Sequence, residues 1–504
     1  MSQIETSGQT KPRLMMLGLD SISLPFVQEN LQTLPILASL LDEGTLRYLS
    51  SPATHLSSAV WPTFLTGKQP GEHGQYFPFQ WSAEHGEFRR IAGAQWSEEF
   101  ADPPFWHHIA QSGVPTIAFD IGHALREEQA PCLQITNWSY QSSGAAKASD
   151  PQVLKELRKR FGRRPIGPEV PIPKTARQCA AIQKQLVSAV RAKADATLYL
   201  MNKPWRLFII GWYEVHRAGH NLWPIEGDFA SDASPDAMLA VYRETDRQLG
   251  RIFAALDRDK TATSLLLFSL HGMEPNRAQD HFLSEILLRL NRIYLGEKMN
   301  WSETPSTLNA MAFLRKALPS TLQYRTASLL GESVQDWVVN RALTAGRSWD
   351  RTPSFSVISG GEGLVRLNVK GRESPGFFSP GSAELAAYAA WLRERLLAIE
   401  VCENGEPLIG DVVNVDEVFP GPRRRFLPDM ILRWAPKAPV DRIRSPEIGE
   451  IKVSLATGRG GNHDGRAFMI AAGGKAYLDA AASIRSIADL GKVPAAIFLD
   501  RPAP

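Results

Sequence analysis

Leu14-Met15-Met16-Leu17-Gly18-Leu19-Asp20 is an uninterrupted apolar run closed by a carboxylate. A strand with one wet face would alternate polar and apolar residues, and this run does not, so it reads as a strand buried within a parallel sheet. Its last residue then brings a carboxylate to the carboxyl end of the sheet, where the sites of open α/β folds gather. The pattern recurs. Residues 116–119 form a short apolar run ending at Asp120, residues 207–212 lead into Tyr213-Glu214-Val215-His216, and residues 264–268 lead into Ser269-Leu270-His271-Gly272. Stretches with helical spacing lie between them, at 34–41, 179–192 and 235–256. Strands alternating with helices predict an α/β fold with a largely parallel central sheet flanked by helices.

At 504 residues the chain exceeds the usual single domain. Three parts are expected: a catalytic α/β core over 1–281, a mainly helical insertion or cap over 282–350, and a return to the core over 351–504 that supplies the last candidate histidine. Helical spacing marks the middle part, in LSEILLRLNRIYL from Leu283 and LNAMAFLRKAL from Leu308, which carry almost no candidate catalytic groups. The composition, 43% hydrophobic and 22% charged, excludes a fibrous or extensively disordered chain. A net charge of +3, with Lys and Arg spread along the chain, is too mild for a nucleic-acid partner.

The three cysteines, Cys132, Cys179 and Cys402, lie far apart without C-x-x-C spacing, so neither a disulfide framework nor a thiolate zinc site is encoded. Residues 1–13 are polar, the short apolar run after them lacks the length of a signal segment, and no run is long enough to span a bilayer. A cytoplasmic protein with no membrane partner is expected.

Histidine is the informative residue, because several of the 11 fall beside strand ends or in Gly-rich turns. Glu214-Val-His216-Arg-Ala-Gly-His220 offers two imidazoles at i and i+4 with a carboxylate just before them, a spacing that lets one helical turn aim them at one ion. The alternative is a pair of surface histidines near a helix start. His271 follows an apolar run and precedes Gly272, and His463 sits in Gly460-Gly-Asn-His-Asp-Gly465. Either is a metal ligand or a satisfied loop histidine. Ser57 and Ser58 stand in SSAVWPTFLTGKQPGEHG, residues 57–74, where Ser-Ser caps a helix start. Capping does not exclude catalysis, since a helix N-terminus stabilises an ionised oxygen and attracts an anionic substrate.

The order GLD (18–20), LPILASLLDEG (34–44), SSAVWPTFLTGKQPGEHG (57–74), YEVHRAGH (213–220), SLHGM (269–273), NVKGRESPG (368–376), PDMILRW (428–434) and GGNHDGR (460–466) resembles the type I phosphodiesterase and nucleotide pyrophosphatase branch of the alkaline phosphatase superfamily. The resemblance runs over nearly the whole chain. It implies an alkaline-phosphatase-like fold and a two-metal site, usually zinc with manganese as the alternative, serving a Ser or Thr nucleophile that attacks phosphorus. By spacing from Thr66-Gly67 that nucleophile matches Ser57, with Ser58 its neighbouring alternative. Asp20 matches the first metal carboxylate, His220 and His463 two ligands of one metal, and His271 a ligand of the other.

Two positions depart from the family pattern. His216 stands where an Asp is usual, four residues before His220, and Leu270 stands where Asp precedes the histidine. Imidazole can replace carboxylate on zinc, giving a set of His216, His220 and His463. Leu270 binds nothing, which leaves Asp20, His271 and the serine oxygen, helped by Glu214, for a second ion. The expected function is a metal-dependent hydrolase of phosphate esters, phosphodiester or pyrophosphate, on a small phosphorylated or other anionic substrate. The alternatives are a sulfate or phosphonate ester hydrolase, or a catalytically degenerate member that binds a phosphorylated ligand.

Overall fold

The computed structural model describes residues 12–91, 100, 102–124, 130–139, 145–163, 165–166, 174–224, 232–258, 263–297, 337, 340, 348–453 and 459–499. The helical stretch expected from Leu308 lies outside the described residues.

The opening apolar run forms the strand Arg13–Leu19, and Leu14 to Leu17 and Leu19 are wholly buried in it. It sits in an eight-stranded sheet ordered Thr45–Leu49, Ala467–Ala472, Thr263–Ser269, Arg13–Leu19, Leu207–Trp212, Thr116–Phe119, Leu133–Thr136, Lys147–Ala148. The five strands from Thr263–Ser269 to Leu133–Thr136 run parallel, with Leu14 opposite Leu207 on one side and Ser264 on the other. Antiparallel strands close both edges. The expected largely parallel sheet flanked by helices is therefore present. Gly18 is required inside its strand, because a Cβ there would stand 2.8 Å from the Phe268 ring.

Helices cover the sheet where the sequence spacing places them, as Pro35–Glu43, Ala176–Met201 and Ala237–Arg258. The longest of these starts at a capping box, in which Thr175 and Gln178 satisfy each other's backbone N–H groups. No helix among the described residues is long and apolar enough to cross a membrane.

A second lobe follows. Ser354–Ser356, Gly363–Leu367, Met430–Trp434 and Ile409–Asn414 form an antiparallel sheet, and Glu400–Val401, Arg442–Ser445 and Gly449–Lys452 a smaller one. The helices Leu283–Tyr294 and Ala383–Leu397 pack on them through a separate apolar cluster that includes Leu287, Leu290, Tyr388, Leu392 and Leu432. The chain leaves the first lobe through the strand Gly272–Pro275 and returns through Gly461–Asp464. These two strands pair with each other, Met273 opposite His463. The next strand, Ala467–Ala472, rejoins the main sheet.

Candidate active site

The strand Arg13–Leu19 ends at Asp20, which is 2% exposed. Both carboxylate oxygens are engaged: Oδ1 accepts from Trp61 Nε1 at 3.1 Å and faces His271 Nε2 at 3.5 Å, and Oδ2 is bonded to His216 Nδ1. Burial alone would raise the Asp20 pKa, but the charge and hydrogen bond of His216, with His271 and Trp61 behind them, hold it below the usual carboxylate range.

The next strand of the sheet, Leu207–Trp212, runs straight into the helix Glu214–Leu222, which carries His216 and His220 on one face. His220 Nδ1 lies 2.8 Å from the Gly461 carbonyl, an acceptor only, so this nitrogen carries the hydrogen and Nε2 keeps its lone pair. The Asp20 carboxylate orients His216 in the same sense. His216 Nε2 then stands 2.8 Å from His220 Nε2 and 2.8 Å from His463 Nε2. Nitrogen lone pairs aimed at one another at that distance repel unless a proton or a cation lies between them. His463 Nδ1 is buried without a hydrogen-bond partner. Burial first, then the neighbouring His271, His216 and His220, push the His463 pKa well below its ordinary value, so the ring is neutral and able to coordinate. His271 belongs to the same cluster: its ring centroid is 4.4 Å from that of His463, and one nitrogen from each of His216, His271 and His463 falls within a 4.8 Å group. Burial also lowers its pKa.

Glycines allow the helix and the two-stranded ribbon to meet. A Cβ on Gly219 would stand 2.8 Å from the Met273 side chain, and one on Gly461 would stand 2.7 Å from the Gly219 carbonyl oxygen. Neither of the motifs RAGH and GGNH can close this contact with a larger residue at those places.

Glu214 is not brought into the cluster. It precedes His216 by two residues, about 200° around the helix, and faces the other way. Its Oε2 accepts the Tyr213 N–H at 3.0 Å, its Oε1 is buried without a partner, and burial raises its pKa against the pull of Lys193. Leu270 is 1% exposed and belongs to the apolar core of the main lobe.

Ser57 opens the 3-10 turn Ser57–Ala59, which continues into the helix Val60–Thr66. Ser57 is 3% exposed and its Oγ makes no hydrogen bond, while Ser58 is half-buried. An unpartnered buried hydroxyl costs about 1–3 kcal/mol unless a ligand uses it. Arg459 links this turn to the imidazoles. Its Nη1 donates to the Gly360 carbonyl at 2.9 Å, Gly360 lies against Ser57 Oγ, and His463 stands four residues further along the same segment.

Sequence reasoning did not single out Trp61, His123, Glu362 or Arg459. His123 is half-buried near enough to Asp20 to feel its charge, and desolvation lowers its pKa to about 4. The signal for Glu362 was the Ser359-Gly-Gly-Glu362 turn, a Gly-rich segment ending in an acid.

Comparison with known proteins bears on the family and the fold. Residues 14–339 match the family model of type I phosphodiesterase/nucleotide pyrophosphatase. Phosphonoacetate hydrolase from Sinorhizobium meliloti 1021, solved with phosphonoformate, is similar in fold at a TM-score of 0.52 and 12% identity, covering 97% of this chain and 96% of that one. Murine ectonucleotide pyrophosphatase/phosphodiesterase 5 is similar at a TM-score of 0.50 and 11% identity, covering 98% and 96%. No curated protein matches the chain. The two solved structures share the alkaline-phosphatase-like fold with this one.

Proposed function

The chain belongs to the type I phosphodiesterase/nucleotide pyrophosphatase family, phosphoric ester hydrolases, and from that premise we propose a divalent-metal-dependent enzyme that cleaves phosphodiester or pyrophosphate bonds through Ser57. The carrying observation is the convergence of His216, His220 and His463 Nε2 atoms, two of them held in the coordinating tautomer by partners on Nδ1. Three imidazoles, two of them with an acceptor behind Nδ1, are a zinc donor set, with manganese the alternative. Asp20 and His271 border the same group and complete the ligand set for a second ion. A bound cation supplies charge neutralisation at the phosphoryl oxygens and lowers the pKa of a hydroxyl beside it.

In this reading Ser57 Oγ attacks phosphorus of a diester or pyrophosphate, its proton goes to the ester oxygen that leaves, and water hydrolyses the seryl phosphodiester so formed, releasing a phosphate monoester and restoring the hydroxyl. Ser58 is the neighbouring alternative nucleophile. Asp20 holds the His216 ring, and the second lobe, which joins the helix Leu283–Tyr294 to the antiparallel strands between Ser354 and Lys452, acts as the cap beside the core. The substrate is a small phosphorylated molecule. The two similar structures bear on its class through their own ligands, phosphonoformate in one and, for an inactive variant of the murine enzyme, AMP. A cytoplasmic setting completes the proposal, in keeping with three cysteines that form no disulfide.

The test is a metal count on protein purified without chelator, beside turnover of aryl phosphate monoester, diester, sulfate and phosphonate esters. The expected result is tightly held zinc or manganese, and diester cleavage that a chelator abolishes and the metal restores. Preference for sulfate or phosphonate would move the reading to those esters. Bound phosphate ester without turnover would make the chain a degenerate binding member.

A further inference from the structure

One side chain from the second lobe holds the Ser57 turn. Glu362 Oε1 accepts the Ser57 N–H at 2.7 Å, and Oε2 accepts the Gly360 N–H at 2.8 Å. The turn that carries it is itself fixed. Ser359 Oγ donates to the Glu362 carbonyl at 2.6 Å and accepts the Gly361 N–H at 3.1 Å, while Trp434 Nε1 donates to the Gly361 carbonyl at 2.8 Å. Gly360 leaves the space between Glu362 and Ser57 bare: a Cβ there would stand 2.7 Å from Ser57 Oγ and 3.3 Å from Glu362 Oε2. A negative charge on Glu362 therefore acts on Ser57 Oγ across about 6 Å at most.

The first N–H groups of a helical run are natural donors to an anion. Here the N–H of the candidate nucleophile is already given to an internal carboxylate. A phosphoryl group approaching Ser57 loses that donor and meets a like charge in its place. The repulsion grows with the charge on the substrate, and a phosphate monoester carries nearly one charge more than a diester at neutral pH. Resting on the reading of Ser57 as nucleophile, we propose that Glu362 is a specificity-determining residue that sets this site against dianionic phosphate monoesters and towards esters with a single negative charge at phosphorus.

The test compares kcat/KM for an aryl phosphate monoester and its matching diester in the metal-loaded wild type, Glu362→Gln and Glu362→Asp. Gln keeps the length and removes the charge, while Asp keeps the charge. Glu362→Gln should raise the monoester-to-diester ratio about tenfold or more, and Glu362→Asp should leave it within about twofold. An equal fall for both esters in Glu362→Gln, with the ratio unchanged, would overturn the proposal and reduce Glu362 to a positioning residue. If the wild type turns over neither ester, the hydrolytic reading itself has failed. Calorimetry with inorganic phosphate then decides the charge effect alone: Glu362→Gln should bind it about tenfold more tightly than wild type, and equal affinity would refute the proposal.

Discussion

Asp20 and Asp120 end two parallel strands that flank the same third strand, Leu207–Trp212, yet their surroundings are opposite. Asp120 is closed. Its oxygens accept Trp138 N–H at 2.8 Å, Ser139 N–H at 2.9 Å and Ser139 Oγ–H at 2.6 Å, and they pair with the fully buried Lys193 ammonium, which also donates to the Gly211 carbonyl at 3.1 Å. Phe119, Trp138 and Tyr213 pack their rings around that ammonium. Asp20 instead faces imidazoles whose outward nitrogens crowd one another. The lesson is that a carboxylate at a strand end marks a site only when its partners leave coordination capacity over. A lysine uses that capacity up, and a histidine passes it on.

Changes near Asp20 should therefore strike chemistry, and changes near Asp120 should strike folding. The largest effect is expected at the serine. Ser57→Ala should lower phosphodiester turnover about a thousandfold or more with metal content and melting temperature intact, whereas Ser58→Ala keeps substantial activity. Steady-state rates beside a metal count check this, and the opposite ranking would move the nucleophile to Ser58. Lys193→Met comes next. It strands the Asp120 carboxylate and should destabilise the fold by about 3–5 kcal/mol in denaturant melts, with metal stoichiometry unchanged in the protein that remains folded. Loss of metal in that variant would erase the contrast between the two aspartates.

A smaller effect is expected on the open side. His220→Ala should remove most tightly held metal, and Asp20→Asn, which removes the acceptor behind His216, should weaken metal affinity by about 10–100-fold. Titration against a competing chelator reads both. The smallest effect lies outside either cluster. Burial holds His73 at a pKa of about 3 and His281 at about 4, where unfolded histidine sits near 6.5. Their stabilising contribution is complete above the unfolded value and falls as pH drops through it, because only the unfolded chain takes up the proton. Each should lose about 1 kcal/mol between pH 6.5 and 5.5, and His281→Gln should flatten that part of the curve.

The parallel sheet was legible because buried strands announce themselves as unbroken apolar runs, and Leu14 to Leu19 is one. The pairing of His216 with His220 was legible because helical spacing alone puts them on one face. Glu214 was misleading for the same reason read carelessly: two residues along a helix is the opposite face. The antiparallel lobe was not foreseen within 351–504, since Ile409–Asn414 and Arg442–Ser445 are short, partly exposed strands whose pattern is fixed by partners elsewhere in the chain. Glu362 could not be read at all as a partner of Ser57, because no local pattern specifies a bond between residues 305 positions apart.

The ribbon formed by Gly272–Pro275 and Gly461–Asp464 gives the molecule a particular evolutionary freedom. The chain departs from one strand of this ribbon and comes back to the other, which closes a neck, and the lobe beyond it also packs on the Ser57 side of the molecule through Phe355, Leu364 and Ile431 beside Leu56 and Tyr76. Insertions or deletions beyond the neck that spare Glu362, Arg459 and the packing around Phe355 leave His271, His463 and the Ser57 turn where they are. Descendants of such a chain can remodel what they recognise while inheriting the means of cleaving it.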